Sequence, residues 1–128
     1  MKEEYRSILQ GRRNAYLATL MPDGSPHVTP VWIDVDGEDV VVNTSEGTVK
    51  LANVRRDPRV AINIESEDDR YCVLSLRGRV TAIESSEAVD EHIDALSRRH
   101  DGVPWTQGDE EARVRIRIRP EKVSLLQD

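Results

Sequence analysis

The chain has 128 residues, a formal net charge of −6, one cysteine and no phenylalanine. This length suffices for one core without disulfides or metal, so we expect a single domain over residues 1–128. The negative charge argues against a general nucleic-acid binder, because neutralising backbone phosphates requires a net basic surface. A lone cysteine excludes an internal disulfide and fits a reducing compartment. The N-terminal residues contain no long apolar stretch, so we expect a cytoplasmic protein with no signal peptide or membrane anchor.

The first part of the chain predicts a short helix followed by hairpins. Residues 3–9 form the helix, and residues 14–21 read as a strand that runs into the turn Pro-Asp-Gly-Ser. A second strand is predicted over residues 26–35 and a third over residues 39–43, separated by Asp-Gly. The pattern therefore predicts an antiparallel meander.

Residues 43–59, NTSEGTVKLANVRRDPR, pass from a strand end into a short basic helix that ends at Asp57-Pro58. Small hydroxyl residues and a glycine precede the helix, and Lys50 follows one turn in. Free N–H groups and the positive end of the helix dipole make such a corner suited to an anion. The segment therefore predicts a site for a phosphate-bearing ligand. The alternative is that Thr or Ser simply caps the helix.

The second part of the chain adds strands and one clear helix. Residues 59–65 alternate apolar and polar side chains, which indicates a half-buried strand. Residues 71–84 suffice for one bent strand or two, with Gly78 a candidate bulge or close approach. A helix is predicted over residues 85–100, and a strand over residues 113–119 alternates with four arginines. Six strands with two or three helices predict a closed, mostly antiparallel barrel, because closure removes exposed edges.

Four segments in order carry a family resemblance. They are PDGSPHVTPVW at residues 22–32, KLANVRRDPRVAI at residues 50–62, HDGVPW at residues 100–105 and RVRIRIRPEKV at residues 113–123. Together they span most of residues 16–123. The set resembles the pyridoxamine-phosphate-oxidase-like split-barrel flavoproteins, and within them the branch that uses the deazaflavin coenzyme F420.

The resemblance implies a fold, a cofactor and an assembly. The fold is mainly β with α: a six-stranded antiparallel FMN-binding split barrel with two to three helices. It implies a homodimer with cofactor sites at the interface. The implied function is an oxidoreductase that uses reduced F420 to transfer hydride to a small organic acceptor. Two alternatives stay open: an FMN-dependent oxidoreductase of the same fold, and a non-catalytic carrier or sensor of flavin, deazaflavin or haem.

The resemblance also implies where the cofactor lies. Its phosphate end is expected at the strand-to-helix corner and its ring along the second strand, with a tryptophan as a wall. The predicted cofactor-binding residues are His27, Val28, Thr29, Pro30, Val31, Ser45, Gly47, Thr48, Val49, Lys50 and Trp105. Many relatives carry a second basic residue where this chain has Thr48 and Val49. Lys50 is therefore expected to be the one cation of the corner unless Arg55 or Arg56 turns inward, which leaves room for FMN.

No catalytic side chain and no metal site are predicted. The pKa of a histidine such as His27 suits acid–base work, but hydride transfer on a flavin is cofactor chemistry. The histidines share no ligand spacing with Cys72. We expect Arg55 and Arg56 in surface or interface ion pairs. The arginines of residues 113–119 are read as an outward polar face, or alternatively as neighbours of the partner's cofactor tail; the physiological substrate stays open.

Overall fold

The computed structural model describes residues 1–106 and 112–127, the last of them by its backbone alone. Within these residues lie three helices and seven strands. The helices are α1 (Glu3–Leu9), α2 (Val49–Arg56) and α3 (Glu87–Asp101). The strands are β1 (Ala15–Leu20), β2 (Pro26–Val31), β3 (Ile33–Asp36), β4 (Asp39–Ser45), β5 (Arg59–Glu65), β6 (Cys72–Glu84) and β7 (Arg113–Gln127).

All seven strands belong to one antiparallel sheet with the order β2-β1-β5-β6-β7-β4-β3. Strands β2 and β3 form its opposite edges, yet only Trp32 separates them along the chain. The two edges must therefore meet at this residue, so the sheet is curled. This geometry confirms the predicted split barrel.

The prediction of six strands was wrong. Residues 26–35 form two strands because the chain changes partners at Trp32: β2 pairs with β1, whereas β3 pairs with β4. A pattern of alternating apolar residues cannot reveal this change, because it continues across the corner. Strand β7 also extends beyond the predicted residues 113–119, and Val123 and Leu125 in its second half pack against the core.

Strand β6 is one continuous strand with an irregular register against β7. The pairing shifts between Arg77 and Gly78 and again between Val80 and Ala82. A Cβ atom at Gly78 would lie 2.3 Å from the carbonyl oxygen of Arg119. Only glycine permits this approach of two backbones, so the predicted role of Gly78 is confirmed.

The core lies inside the barrel and consists mainly of Val, Ile and Leu side chains from the inner strand faces, joined by Leu9 of α1 and by Leu51 and Val54 of α2. Leu17, Ile62, Leu76 and Ile116 are almost fully buried, and each such side chain stabilises the fold by about 1.5–3 kcal/mol. Helix α2 packs on β1.

Helix α3 lies against β4 and β7 on the outside of the sheet. Asp34 of β3 holds α3 in place through two contacts. The Asp34 carboxylate lies 3.1 Å from Nε2 of His92 and 3.2 Å from the guanidinium of Arg99, and both residues belong to α3. Burial raises the pKa of Asp34, but the His92 hydrogen bond and the Arg99 charge outweigh it and bring the pKa to about 2. None of the described helices has the length and apolar character needed to cross a membrane.

Candidate functional site: a cleft between β4, α2 and the segment after α3

An open cleft of about 350 Å³ lies where β2, β4 and α2 meet the segment that follows α3. Its size is at the lower end of small-molecule sites, which measure about 300–1,000 Å³. Its lining combines two cations, two indoles, several polar groups and few aliphatic side chains. The lining residues are Asn14, Pro30, Val31, Trp32, Asn43, Thr44, Lys50, Ile93, Asp101, Trp105 and Arg113.

The start of helix α2 borders this cleft. Thr48 occupies the N-cap position but makes no side-chain capping hydrogen bond. Its hydroxyl instead donates to the carbonyl oxygen of Ser45 at 3.1 Å, across the turn that Gly47 makes with a φ of +85°. Thr48 therefore leaves the N–H groups of the first turn available, and these groups favour negative charge. The alternative that this segment only caps its own helix does not describe the structure.

Lys50 is half-buried in the cleft. Burial and then the nearby charge of Arg113 lower the pKa of Lys50. Lys50 forms no salt bridge with a carboxylate among residues 1–106 and 112–126. A lysine whose pKa is lowered by burial and by a neighbouring guanidinium favours the binding of an anion.

The expectation that Lys50 would be the one cation of the corner was wrong. Arg113, which begins β7 some sixty residues later in the chain, supplies the second charge. Arg55 forms a bidentate pair with Glu46 at 2.7 and 2.9 Å, which confirms its predicted ion pair. Arg56 donates to the carbonyl oxygen of Leu20 at 2.9 Å and to the side chain of Asn53, so it does not turn into the cleft.

Among the described residues, Asn43 and Trp105 both contact Arg113. Its Nε donates to Oδ1 of Asn43 at 3.0 Å, and its guanidinium lies 5.2 Å from the ring centre of Trp105. Asn43 is buried, and its Nδ2 donates to the carbonyl oxygen of Val89 at 2.9 Å. The amide of Asn43 thus links α3 to Arg113 and orients the guanidinium at the cleft.

Arg115 and Arg117 of β7 lie on the outer side of the sheet, as predicted, but they do not simply face solvent. Arg115 and Arg117 lie on the side of the sheet where Asn43 and α3 are found, and both are half-buried. Arg115 pairs with Glu84 at 3.0 Å, and Arg117 pairs with Asp36 and Asp39 at 2.6 and 3.1 Å. Their charges are therefore committed within the chain.

Aromatic side chains form one wall of the cleft. The rings of Trp32 and Trp105 meet edge to face at 6.2 Å, and His100 stacks on Trp32 at 4.9 Å. Gly102 reverses the chain after α3 with a φ of +76°. The backbone N–H of Trp105 then donates to Asp94 at 2.9 Å, which brings the indole back over the cleft.

The profile of the pyridoxamine 5'-phosphate oxidase family matches residues 1–127 of the chain. The chain belongs to this family. The match covers nearly the whole sequence, including every described helix and strand. The resemblance in the four sequence segments is therefore confirmed.

Solved structures of family-like proteins agree with this membership. An F420 reductase has 31% identity and a TM-score of 0.83, with 97% of this chain and 98% of that chain covered. A conserved hypothetical protein from Mycobacterium tuberculosis has 30% identity and a TM-score of 0.78, with 99% and 85% covered. A putative pyridoxamine 5'-phosphate oxidase from Listeria innocua has 26% identity and a TM-score of 0.74, with 98% of both chains covered.

The structure brings part of the predicted site of this family member together. Pro30 and Val31 of β2, Lys50 of α2 and Trp105 all line the cleft. The residues Ser45, Gly47, Thr48 and Val49 form the turn and helix start that lead to Lys50. Their contacts with a cofactor stay a prediction.

The remaining predicted residues lie on β2, outside the cleft lining. Val28 points outward and is 58% exposed. His27 and Thr29 are half-buried, and Nδ1 of His27 and Oγ1 of Thr29 are buried without a hydrogen-bond partner in the described part of the chain. Asn43, Thr44 and Arg113 were not predicted as site residues. The signal that could have found the first two is a pair of polar residues that ends the apolar run of β4.

Proposed function

We propose that this protein is an oxidoreductase that binds reduced coenzyme F420 at a homodimer interface and transfers hydride to a small organic acceptor. The observation that carries the proposal is the convergence of Lys50, Arg113 and the start of α2 on one cleft walled by Trp32 and Trp105. The likeness to an F420 reductase at 31% identity favours the deazaflavin over other ring cofactors.

The cationic end of the cleft suits the acidic part of such a cofactor. Lys50 and Arg113 repel each other there, and burial removes water that would otherwise screen them. A phosphate or carboxylate beside Lys50 would be attracted by both charges and would accept hydrogen bonds from the first turn of α2. Arg113 is held in place by Asn43, so little conformational entropy is lost on binding.

The second strand offers polar groups for the edge of a ring. Pro26 and Pro30 have no N–H and lie opposite Leu20 and Tyr16 of β1. Val28 lies between them, so its N–H and C=O point to the free edge of the sheet. On the inner side, Nδ1 of His27 and Oγ1 of Thr29 are buried without a hydrogen-bond partner in the described part of the chain, and unpaired groups of this kind cost free energy.

The protein's part in catalysis is to bind, orient and exclude water. When bound, the reduced deazaflavin supplies the hydride. Lys50 and Arg113 would hold its anionic part, and the β2 edge would fix the ring. Trp32 and Trp105 would keep water from the acceptor side, because their indoles stand together as a wall. We assign no acid or base, since none of these roles requires one.

A homodimer is supported by an exposed apolar surface beside the cleft. Val28 is 58% exposed, Tyr16 is 49% exposed, and Pro30 lies opposite Tyr16 on the same outer face. Pro30 also lines the cleft, so a second copy that covers this surface reaches the cofactor. We expect Val28→Lys to convert the dimer to a monomer in analytical ultracentrifugation. Val103→Lys, at a valine that is 52% exposed, is the control and should leave the dimer intact.

FMN is the second candidate cofactor. The absence of a basic residue at Thr48 and Val49 favours a ligand with fewer charges than the deazaflavin tail. A carrier or sensor of flavin, deazaflavin or haem is the non-catalytic alternative, and it predicts binding without turnover.

The test is a titration of the purified protein with F420 and with FMN, followed by fluorescence. We expect F420 to bind in the micromolar range, and reduced F420 to be oxidised by at least one member of a panel of enones and quinones. Lys50→Ala should weaken F420 binding by about tenfold or more. Lys2→Ala, which removes an exposed lysine, should not.

Each other outcome has a defined meaning. If FMN binds more tightly than F420, FMN and not F420 is the cofactor of the proposed oxidoreductase. Binding with no turnover across the panel would favour the carrier. Failure of both ligands to bind would refute the oxidoreductase, and equal binding by wild type and Lys50→Ala would refute the placement of the anionic end.

A further inference from the structure

A second cationic site lies on the outer face of the sheet, away from the cleft. We call it the outer basic surface, and it consists of Arg59 of β5, Arg77 and Arg79 of β6 and Lys122 of β7. In the strand register Arg59 lies directly opposite Arg79, and Arg77 lies directly opposite Lys122. Like charges in directly opposed positions destabilise a sheet, so this arrangement is costly unless it binds something.

The outer basic surface is concave because of the register shift at Gly78. Gly78 lies opposite Pro120, and Arg77 lies opposite Lys122, so Glu121 is an extra residue on β7. Such a bulge bends its strand and redirects the neighbouring side chains. The result is a cavity of about 320 Å³ whose lining includes the four cations and Gly78.

The local carboxylates neutralise only half of this charge. Arg59 pairs with Asp57 at 2.8 Å, and Arg79 pairs with Glu121 at 3.5 Å. Arg77 and Lys122 form no salt bridge within residues 1–106 and 112–126. Two uncompensated cations thus face each other in a chain whose formal net charge is −6.

We propose that the outer basic surface binds a small multivalent anion, a chain of phosphate or carboxylate groups, with Arg77 and Lys122 as its principal contacts. Two adjacent anionic groups would pair with Arg77 and Lys122. Arg59 and Arg79 would add a longer-range electrostatic attraction from either side. An isolated monovalent anion would gain less, because one charge cannot neutralise both. This site is separate from the cleft and goes beyond the proposed function.

The experiment uses inorganic triphosphate as the probe and isothermal titration calorimetry with the whole chain at low salt. We expect measurable binding to wild type that weakens as salt is added, since exposed charges are screened. The double variant Arg77→Ala/Lys122→Ala should bind triphosphate about tenfold or more weakly. The control Arg12→Ala/Arg13→Ala removes the same net charge from two exposed arginines elsewhere and should bind as wild type does.

Three results would contradict the proposal, and the first two would overturn it entirely. The first is no binding of triphosphate to wild type at low salt. The second is an equal loss in the control, which would show a response to net charge alone. Orthophosphate should bind more weakly than triphosphate; equal affinity, the third result, would refute the multivalent character of the site.

The source of the anion is resolved by a second titration, with F420. If Arg77→Ala/Lys122→Ala also weakens F420 binding, the anion is the acidic tail of a cofactor that reaches this surface. If F420 binding is unchanged, a free polyanion is the ligand. Triphosphate binding does not depend on F420, so the site stands or falls independently of the oxidoreductase proposal.

Discussion

The cleft and the outer basic surface both gather cations, but they hold them in different environments. In the cleft, burial and Arg113 lower the pKa of Lys50, and Asn43 fixes the guanidinium. On the outer basic surface the side chains of Arg59 and Arg79 are 63% and 54% exposed, and Asp57 raises the pKa of Arg59. A buried charged side chain can discriminate between ligands because water does not compete with the ligand for it. An exposed charged side chain mainly attracts ions of opposite charge. We therefore expect the cleft to select its ligand and the outer basic surface to attract anions with less discrimination.

The largest expected effect is on the outer basic surface, where Gly78→Ala would force β6 and β7 apart. The new methyl group would meet the Arg119 carbonyl at 2.3 Å. We expect a loss of about 1–3 kcal/mol in the free energy of unfolding, measured with urea. Triphosphate binding should fall as well, because the concavity is deformed. Ser75→Ala, three residues earlier on β6, should change the free energy of unfolding by no more than about 0.5 kcal/mol; an equal effect of the two substitutions would contradict the close approach.

The next effect concerns the cleft, where Asn43→Ala removes the acceptor for Arg113 and the donor to Val89. Leaving buried polar groups unpaired costs about 1–3 kcal/mol of stability. We also expect this variant to bind F420 more weakly than wild type. Its outer basic surface is unchanged, so it should bind triphosphate as wild type does. A variant that loses both kinds of binding would show that the two regions are not independent.

A smaller effect is the pH dependence that Lys50 contributes. Its pKa in the folded chain lies below the ordinary value of 10.5, so the unfolded chain binds more protons between these two values. In the absence of ligand, the free energy of unfolding should therefore gain a contribution from Lys50 as pH rises through this window. The same rise in pH should weaken F420 binding, because a neutral lysine no longer attracts an anion. Urea unfolding of wild type and Lys50→Met at several pH values up to 10.5 checks the difference, and identical profiles would contradict it.

The smallest effect is expected for Arg55→Ala, which removes an exposed ion pair with Glu46. Pairs of this kind contribute about 0–1 kcal/mol. Thermal unfolding and F420 affinity should both stay close to wild type. A tenfold loss of affinity would mean that Arg55 reaches the cofactor. Arg55, and not Arg113, would then be the second cation that binds the anionic end.

Local patterns foretold most of the elements and part of the cleft. The alternation in residues 59–65 and 113–119 gave two strands, and the apolar spacing of α3 gave its helix, because burial on one face repeats with the period of the element. The sequence left open whether Thr48 caps α2 or borders an anion site. Its hydroxyl contacts Ser45 and makes no capping hydrogen bond, and the anion site stays a prediction. The predicted number of strands was wrong because the chain changes its pairing partner at Trp32. The alternation of apolar and polar residues continues across that change and does not reveal it.

The sequence by itself determined the family, the barrel of alternating apolar strands and the position of Lys50 at a helix start. These properties depend on neighbours in the chain or on the order of short segments. Only the tertiary structure decided that Arg113 joins Lys50, that Asn43 orients it, and that Arg77 faces Lys122 across a bulge. Those contacts join residues tens of positions apart, and their geometry follows from strand order and register. The sequence shows which side chains carry a charge. The tertiary structure determines their burial and their neighbours, and these determine the effect of the charge.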